Sequence, residues 1–408
     1  MTLSPTPARE RIALVDALRG LALFGIPLVN LTWFSGYAVA SASARADLWT
    51  PQGDKAAAWL IHFAVEGKFY SLFALLFGLG YAMQTARPTA TATPHWFARR
   101  MLVLLALGLA HAALVWFGDI VSIYAVLALG LPWLRALSTR ALITVALVGA
   151  LAPIAVRFGW LAVDRALGID HGAGDPGHGP AQLLGVFAAG RYPDVLHANW
   201  AFLKERWQLL LYTGRPAQIL GMFAAGILTQ RLGLLADPSR HAPLLRRLLW
   251  CGLLVGIPAN AGFAMLAEAV PDRPPSLLAC LRAALLAVGA PALCVAYAAG
   301  FALLWRWVGG CWLWPLTVCG RMSLTNYLGQ SMVGVAVFYG CGLGWWGRVG
   351  ALPMVALAVV LFAAQAVGSA WWLRSVPQGP VESVWRRLTY GHWRASSDQD
   401  RHSVVGRG

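Results

Sequence analysis

The ionisable side chains that lie inside long apolar segments are the residues of this sequence best suited to chemistry. Such a group is costly at membrane depth, so it needs a partner or a function. In "WLIHFAVEGKFYSLFALLFGLG", His62, Glu66 and Tyr70 recur every four residues, which places them on one face of a continuous helix. That face predicts a polar cavity in which His62 or Glu66 accepts a proton. The alternative is that Glu66 pairs with an arginine and only fixes helix packing.

His111 is a further candidate base, in the apolar segment of "GLAHAALVWFGDIVSIYA" that precedes Asp119. Imidazole titrates near neutral pH and therefore suits proton transfer. The alternative is a core histidine that donates to a backbone carbonyl. Asp119 stands between two apolar segments, where a carboxylate can accept free backbone N–H groups at a helix start. We therefore expect Asp119 to cap the segment that follows.

The first apolar segment, "RIALVDALRGLALFGIPLVN", carries Asp16 and Arg19 in its first turns. Residues three apart on a helix can form an ion pair, which lowers the cost of entering the membrane. Arg19 is also placed to bind a phosphate from the cytosolic side. In "GRMSLTNYLGQS", Asn326 and Gln330 share a helix face. They either hold helices together or contact a substrate.

Composition places the chain in a membrane. The 408 residues are 58% hydrophobic and 12% charged, about half the charged fraction of a typical soluble domain. A helix of roughly 20 apolar residues spans a bilayer. The sequence therefore predicts an all-α, polytopic bundle of about ten transmembrane helices, near 12–34, 57–85, 97–117, 120–137, 140–161, 216–234, 244–268, 277–304, 315–340 and 351–374.

The net charge of +15 comes from 32 basic residues, most of which flank apolar segments. Their concentration on one set of connections is the positive-inside pattern, not a nucleic-acid-binding stripe. With an inner N-terminus, this asymmetry predicts that both termini are cytoplasmic in a multi-pass protein of the bacterial inner (plasma) membrane. The expected partner is the lipid bilayer and not a nucleic acid; whether the protein forms a homodimer stays open.

One integral domain, 1–408, is the simplest organisation. It divides into N-terminal helices (1–161), an extracytoplasmic connection with one or two interfacial helices (162–215), C-terminal helices (216–394) and a flexible cytoplasmic tail (395–408). The connection begins with a Gly-rich stretch that contains His171, Asp175 and His178. These are residue types that bind zinc, but nothing in such a stretch orders them, and we predict no metal site.

Five motifs occur in this order along the chain: "LVDALRGLALFGIPLVN", "EGKFYSLFALLFGLG", "GLAHAALVWFGDIVSIYA", "CGRMSLTNYLGQS" and "GPVESVWRRLTYG". They resemble successive signatures of the YeiB family of bacterial integral membrane proteins, whose second half is a domain of unknown function, number 418. The N-terminal half distantly resembles transmembrane acyltransferases such as heparan-α-glucosaminide acetyltransferase. Those enzymes carry an acyl group from cytosolic acyl-CoA to an acceptor, often a sugar, on the far side.

This resemblance implies acyl-CoA as a co-substrate and a small-molecule or glycan acceptor. In those enzymes the apolar run after the arginine leads to a catalytic histidine, whereas the run from Arg19 leads to Asn30. Asparagine cannot act as a base near pH 7, so this function passes to Glu66, His62 or His111. The residues expected to bind CoA are Arg19, Asp16, Arg99, Arg100 and Arg321. Those expected to contact the substrates are Asn30, Lys68, Tyr70, Asp119, Asn326 and Gln330.

Three classes of protein are compatible with these features. A membrane-bound acyltransferase is the leading interpretation, followed by a transporter or exporter of a small metabolite and by an accessory membrane protein. A transporter predicts helices broken at mid-membrane or internal repeats, and the sequence shows neither clearly. An acyltransferase predicts a cavity with basic residues at its cytosolic mouth.

Overall fold

The protein is a helical bundle without strands in the part that the computed structural model describes, residues 13–48, 50–86, 94–169, 181–271 and 275–390. Its α-helices are α1 (Ala13–Phe34), α2 (Ala42–Ala46), α3 (Pro51–Ala64), α4 (Lys68–Thr85), α5 (Pro94–Leu114), α6 (Val121–Ala128), α7 (Leu131–Ala136), α8 (Thr139–Ala166), α9 (Ala181–Ala189), α10 (Tyr192–Thr213), α11 (Arg215–Arg231), α12 (Ala242–Ala267), α13 (Leu277–Trp312), α14 (Trp314–Arg321), α15 (Ser323–Phe338), α16 (Ala351–Ser375) and α17 (Pro380–Tyr390). The all-α class is confirmed.

Seven helical stretches in the described part are long and apolar enough to cross a membrane: Ala13–Phe34, Pro51–Thr85, His95–Leu114, Thr139–Ala166, Ala242–Ala267, Leu277–Gly310 and Ala351–Ser375. The other three predicted spans are helical but shorter. One is the pair α6 and α7, one is α11 with 17 residues, and one is the pair α14 and α15. A multi-pass protein is thus supported, whereas the count of ten spans is not confirmed.

The second apolar stretch is not one continuous helix, contrary to the expectation from its spacing. Helix α3 ends at Ala64 and α4 begins at Lys68. Gly67 between them has φ 86°, a left-handed conformation that residues with a Cβ rarely adopt. A Cβ at this position would also lie 2.8 Å from that of Ala290 on α13. The break therefore has a specific glycine as its cause.

Helices α1 and α14 pack backbone against backbone. A Cβ at Gly20 would overlap the carbonyl oxygen of Leu316, and a Cβ at Gly320 would overlap that of Asp16. Small residues at helix interfaces in membranes allow this close approach. Met322 then separates α14 from α15 with non-helical dihedrals, φ −115° and ψ 37°. The contact fixes the first turns of α1 beside the α14–α15 break.

The connection between α8 and α11 forms two helices, α9 and α10, in agreement with the expected one or two. Phe187 of α9 is fully buried and contacts the rings of Phe117, Phe202 and Tyr339. Helix α10 packs against α5, α8 and α11. These two helices therefore cover the ends of the long helices at one end of the bundle.

We call that end the outer end, and the opposite end, where α1 begins and α17 lies, the inner end. The positive-inside pattern predicts that the inner end faces the cytoplasm.

This orientation can be tested at two exposed alanines, Ala42 near the outer end and Ala236 between α11 and α12 at the inner end. In a variant without the six native cysteines, Ala42→Cys should react with an impermeant maleimide on intact cells. Ala236→Cys should react only after permeabilisation, and the reverse pattern would overturn the orientation.

Candidate functional site

The predicted pair of Asp16 and Arg19 is present in the first turns of α1. Nη1 of Arg19 donates to Oδ1 of Asp16 at 2.7 Å, and the two side chains are 30% and 9% exposed, respectively. Both residues line a cavity of about 490 Å³ at the inner end of the bundle. A cavity of this size is within the usual range for small-molecule sites. The ion pair is therefore part of a cavity wall as well as an anchor.

The inner cavity, as we call it, has a basic entrance. Its lining includes four arginines, each from a different helix: Arg19, Arg100, Arg321 and Arg386. Among the described residues, Asp16 and Glu382 are the acidic ones of the same lining. Because Asp16 pairs with Arg19 and Glu382 caps another helix, the entrance keeps an excess of positive charge. Guanidinium groups bind phosphate through paired hydrogen bonds, so this region is suited to an anionic ligand.

Helix α17 forms one wall of the entrance. Nε1 of Trp385 donates to the backbone oxygen of Arg100 at 3.0 Å, and the Arg100 guanidinium lies 4.2 Å from the centroid of the Trp385 ring. Oε1 of Glu382 accepts the backbone N–H groups of Leu324 and Thr325 at 2.7 and 3.1 Å. These are the free donors at the start of α15. The C-terminal motif thus closes the cavity by capping α15 and stacking on α5.

Deeper in the bundle the inner cavity becomes apolar. Phe73, Leu76 and Phe77 of α4 face Met101 and Leu104 of α5 across it. Along α1 the lining extends from Asp16 to Ile26, about 15 Å at the rise of an α-helix. Tyr124 and Tyr327 line its deep part. The shape and polarity suit an elongated ligand with an anionic head and a less polar tail.

His111 and Asp119 form a buried pair behind Tyr327. Nδ1 of His111 lies 3.0 Å from Oδ1 of Asp119, and the side chains are 3% and 1% exposed. The same carboxylate accepts the backbone N–H of Ser122 at 2.6 Å, so the predicted helix cap is present. The Tyr327 hydroxyl lies 3.5 Å from Oδ1 of Asp119, and its ring centroid is 5.4 Å from that of His111. Nε2 of His111 is buried without a hydrogen-bond partner in the described structure.

This arrangement fixes the orientation of the His111 ring. An ionised carboxylate only accepts hydrogen bonds, so Nδ1 of a neutral His111 carries the proton and Nε2 carries the lone pair. A buried polar atom without a partner is unfavourable, so Nε2 is free to accept a hydrogen bond from a molecule that reaches it. His111 does not line the inner cavity itself, whereas Tyr327, whose ring neighbours that of His111, does.

The hairpin between α5 and α6 brings the pair together. A Cβ at Gly108, one turn before His111, would overlap the backbone nitrogen of Ser122 and lie 3.0 Å from Oδ2 of Asp119. Glycine therefore lets the start of α6 approach α5 closely. Asn199 of α10 supports the turn, since its amide accepts from the Phe117 backbone N–H at 3.3 Å. The sequence placed both residues at the hairpin, but it did not predict that they meet.

His62 and Glu66 form a second pair, away from the inner cavity. Nδ1 of His62 lies 2.5 Å from Oε2 of Glu66, and Nζ of Lys68 donates to the His62 backbone oxygen at 2.8 Å. Tyr70 belongs to the next helix, and its hydroxyl donates to Oε1 of Gln218 at 2.6 Å. The expectation that His62, Glu66 and Tyr70 share one continuous helix face is therefore wrong, because Gly67 breaks the helix.

The other predicted site residues divide into two groups. Arg100 and Arg321, which were expected to bind CoA, line the inner cavity, whereas Asn30 and Lys68, which were expected to contact the substrates, do not. Arg99 instead donates to the backbone oxygen of Leu388 on α17, at 2.9 and 3.2 Å. The loop with His171, Asp175 and His178 lies outside the described residues.

Asn326 and Gln330 hold helices together rather than face the inner cavity. Nδ2 of Asn326 donates to the Cys319 backbone oxygen and to Oγ of Ser369, and Nε2 of Gln330 donates to the Leu23 backbone oxygen. Both side chains are buried. Their contacts therefore correspond to the alternative in which Asn326 and Gln330 hold helices together.

Most cavity-lining residues were not among the predicted site residues, and these include Tyr124, Tyr327, Trp385 and Arg386. Tyr327 lies within the motif "GRMSLTNYLGQS", and the two α17 residues lie within "GPVESVWRRLTYG". In the sequence, only their place within these two motifs pointed to these three residues. Nothing in the spacing indicates that Tyr327 meets Asp119, which is 208 positions away in the chain.

The chain was compared with known proteins and families. Residues 229–392 match the model of the family described as "Protein of unknown function (DUF418)". The uncharacterized protein YxaH of Bacillus subtilis (strain 168) is 30% identical over 413 residues, which cover 96% of this chain and 98% of that protein. The uncharacterized protein YeiB of Escherichia coli (strain K12) is 27% identical, over 93% and 96% of the two chains.

A further relative, the uncharacterized 39.9 kDa protein in the amylase 3' region of Bacillus acidopullulyticus, is 26% identical over 95% of this chain. No solved structure matches the chain. With full-length similarity at 30% identity and the family match, the chain belongs to the YeiB/DUF418 family of multi-pass membrane proteins. The resemblance seen in the five motifs is confirmed.

Proposed function

We propose that this protein is a membrane-bound acyltransferase that takes an acyl group from acyl-CoA at the inner end of the bundle. The observation that carries the proposal is the inner cavity, which begins at four arginines, continues between apolar side chains and ends at Tyr327 beside His111 and Asp119. The charge and polarity of acyl-CoA change along its length in the same way, with charged phosphates at one end and the thioester at the other.

Each part of the inner cavity has a role in this proposal. Arg19, Arg100 and Arg321 bind the phosphates, because a guanidinium group offers paired donors to phosphate oxygens. The Trp385 ring holds the Arg100 guanidinium in place. Phe73 and Phe77 contact the less polar arm of the donor. The membrane-spanning bundle keeps water away from the thioester and so limits wasteful hydrolysis.

The transfer itself requires a base. Nε2 of His111 accepts the proton of the acceptor hydroxyl or amine as its oxygen or nitrogen attacks the thioester carbonyl carbon. The carbon–sulfur bond then breaks, and the imidazolium returns the proton to the leaving thiolate, which departs as CoA. Asp119 stabilises the imidazolium and holds its orientation, in the manner of a histidine–carboxylate pair. A small molecule or a glycan is the proposed acceptor.

Binding of the donor tests the cavity assignment. We expect acetyl-CoA to bind purified protein in isothermal titration calorimetry, and Arg100→Gln to weaken this binding about tenfold or more, the usual cost of losing a hydrogen bond between charged groups. Arg387→Gln is the control, because Arg387 is exposed on α17 and does not line the cavity. Absence of binding at millimolar acetyl-CoA, or an equal loss in both variants, contradicts the proposal.

A transporter is the second candidate, and one observation favours it. The stretch Pro51–Thr85 is broken at Val65–Gly67, beside the charged groups of Glu66 and Lys68. Transporters often build their substrate sites at such discontinuous helices. In proteoliposomes a transporter moves radiolabelled ligand across the bilayer with its acyl group intact, whereas an acyltransferase releases CoA.

A further inference from the structure

A second group of polar side chains lies on the outer side of Tyr124 and Tyr327. Arg206 of α10 interacts electrostatically with Asp119 and with Tyr327. Its Nε atom is buried and has no hydrogen-bond partner in the described structure. Arg206 does not line the inner cavity, and its helix α10 covers the outer end of the bundle.

Arg215 and Gln218, in the first turns of α11, face the same region. The Arg215 guanidinium lies 5.6 Å from the centroid of the Tyr70 ring. Oε1 of Gln218 accepts the Tyr70 hydroxyl at 2.6 Å. Nε2 of Gln218 is buried and has no hydrogen-bond partner among the described residues, and the residue is only 3% exposed. A donor with no acceptor thus lies one helical turn from a second guanidinium.

We call this group of residues, Tyr70, Arg206, Arg215 and Gln218, the outer site. Arg206 and Arg215 are close enough to repel each other. The Tyr124 hydroxyl donates to the Tyr70 backbone oxygen at 2.5 Å, so Tyr124 adjoins this group. The tyrosines Tyr124 and Tyr327 also line the inner cavity. They form the partition between the two sides.

The outer site has an excess of positive charge. The carboxylates that interact with its arginines are already engaged: Asp119 accepts from His111 and Ser122, and Glu66 accepts from His62. Burial lowers the pKa of Arg206 to about 10, so this guanidinium stays protonated at neutral pH. Two like charges in a medium of low dielectric constant repel strongly. An anion between them would remove that repulsion and accept from the unpartnered donors.

We propose that the outer site binds an anionic group, a carboxylate or a phosphate, through Arg206 and Arg215. Resting on the proposed function, this group belongs to the acceptor, whose nucleophile then lies next to Nε2 of His111. The donor and the acceptor reach the His111–Asp119 pair from opposite sides of the Tyr124–Tyr327 partition. The same chemistry occurs in a soluble anion and in the headgroup of an anionic lipid.

Binding of inorganic phosphate tests the outer site without any use of CoA. We expect phosphate to raise the melting temperature of the detergent-purified protein. Arg206→Gln and Arg215→Gln should each raise the apparent Kd about tenfold or more, as expected when a guanidinium–anion hydrogen bond is lost. Arg246→Gln is the control, because Arg246 is exposed on α12 and should leave the Kd unchanged. Arg206→Lys and Arg215→Lys retain the charge and should weaken phosphate binding less than the glutamine variants do. They replace a glutamine variant that does not fold.

The inner cavity also contains arginines, so Arg100→Gln is measured in parallel. A loss of phosphate binding in Arg100→Gln alone, no difference among the variants, or no binding at all overturns the outer site. Failure of the acyltransferase proposal has a different signature, the absence of acetyl-CoA binding.

For the source of the anion, native mass spectrometry compares protein from nanodiscs with and without phosphatidylglycerol. Retention of this lipid, reduced in Arg206→Gln, assigns a lipid headgroup. Phosphate binding without lipid retention assigns a soluble anion.

Discussion

His111→Gln is expected to slow the release of CoA from acetyl-CoA, with water in place of the acceptor, by about a hundredfold or more, the usual contribution of a general base. Binding of acetyl-CoA should stay close to that of the unchanged protein, because His111 does not line the inner cavity. Glutamine can still donate to Asp119 and so limits the damage to the buried pair. The release is measured with a thiol reagent under single-turnover conditions.

The matched control is His62→Gln. His62 and His111 are both histidines that contact a carboxylate, at 2.5 and 3.0 Å. Only His111 lies beside a residue that lines the inner cavity, namely Tyr327. We therefore expect His62→Gln to change CoA release by less than about threefold, within ordinary context effects. A larger loss in His62→Gln than in His111→Gln would move the base to the other pair.

Gly320→Ala is expected to prevent folding or to destabilise the protein by about 3 kcal/mol or more, at the upper end of overpacking effects. A Cβ there overlaps the Asp16 carbonyl oxygen, and both partners are backbone of packed helices. A rigid backbone cannot move aside as a flexible side chain would. The expected result is little monodisperse protein in fluorescence-detected size-exclusion chromatography, or a melting temperature several degrees lower.

Gly368→Ala on α16 is the control for this change. A Cβ at Gly368 meets no atom within 4 Å, and alanine is the better helix former. This variant should behave like the unchanged protein or be slightly more stable. Equal behaviour of the two alanine variants would show that α1 and α14 do not approach as closely as described.

Apolar patterning predicted most of the helices. All ten predicted spans are helical, because a long apolar segment in a bilayer must satisfy its own backbone hydrogen bonds. The break at Gly67 was missed because apolar residues lie on both sides of the short polar segment 66–68, and only the local φ of 86° reveals it. The short pairs α6 with α7 and α14 with α15 were read as single spans for the same reason.

Local spacing also predicted part of the candidate site. The pair of Asp16 and Arg19 follows from their i, i+3 positions, and the Asp119 cap follows from its place before α6. The contact of His111 with Asp119 depends on the course of the hairpin, which residue spacing does not define. The positions of Tyr327, Arg206 and α17 depend on packing between distant segments. Such contacts arise only when the whole bundle is assembled.

The most direct test is an experimental structure of the protein with a non-hydrolysable acetyl-CoA analogue. The phosphates of the analogue should lie within hydrogen-bond distance of Arg19, Arg100 or Arg321, and its pantetheine arm should lie between Phe73 and Met101. The acyl carbonyl carbon should lie next to Tyr327, on the side that faces Nε2 of His111. An analogue bound elsewhere, or an inner cavity filled by lipid with no density for the analogue at saturating concentration, would contradict the account.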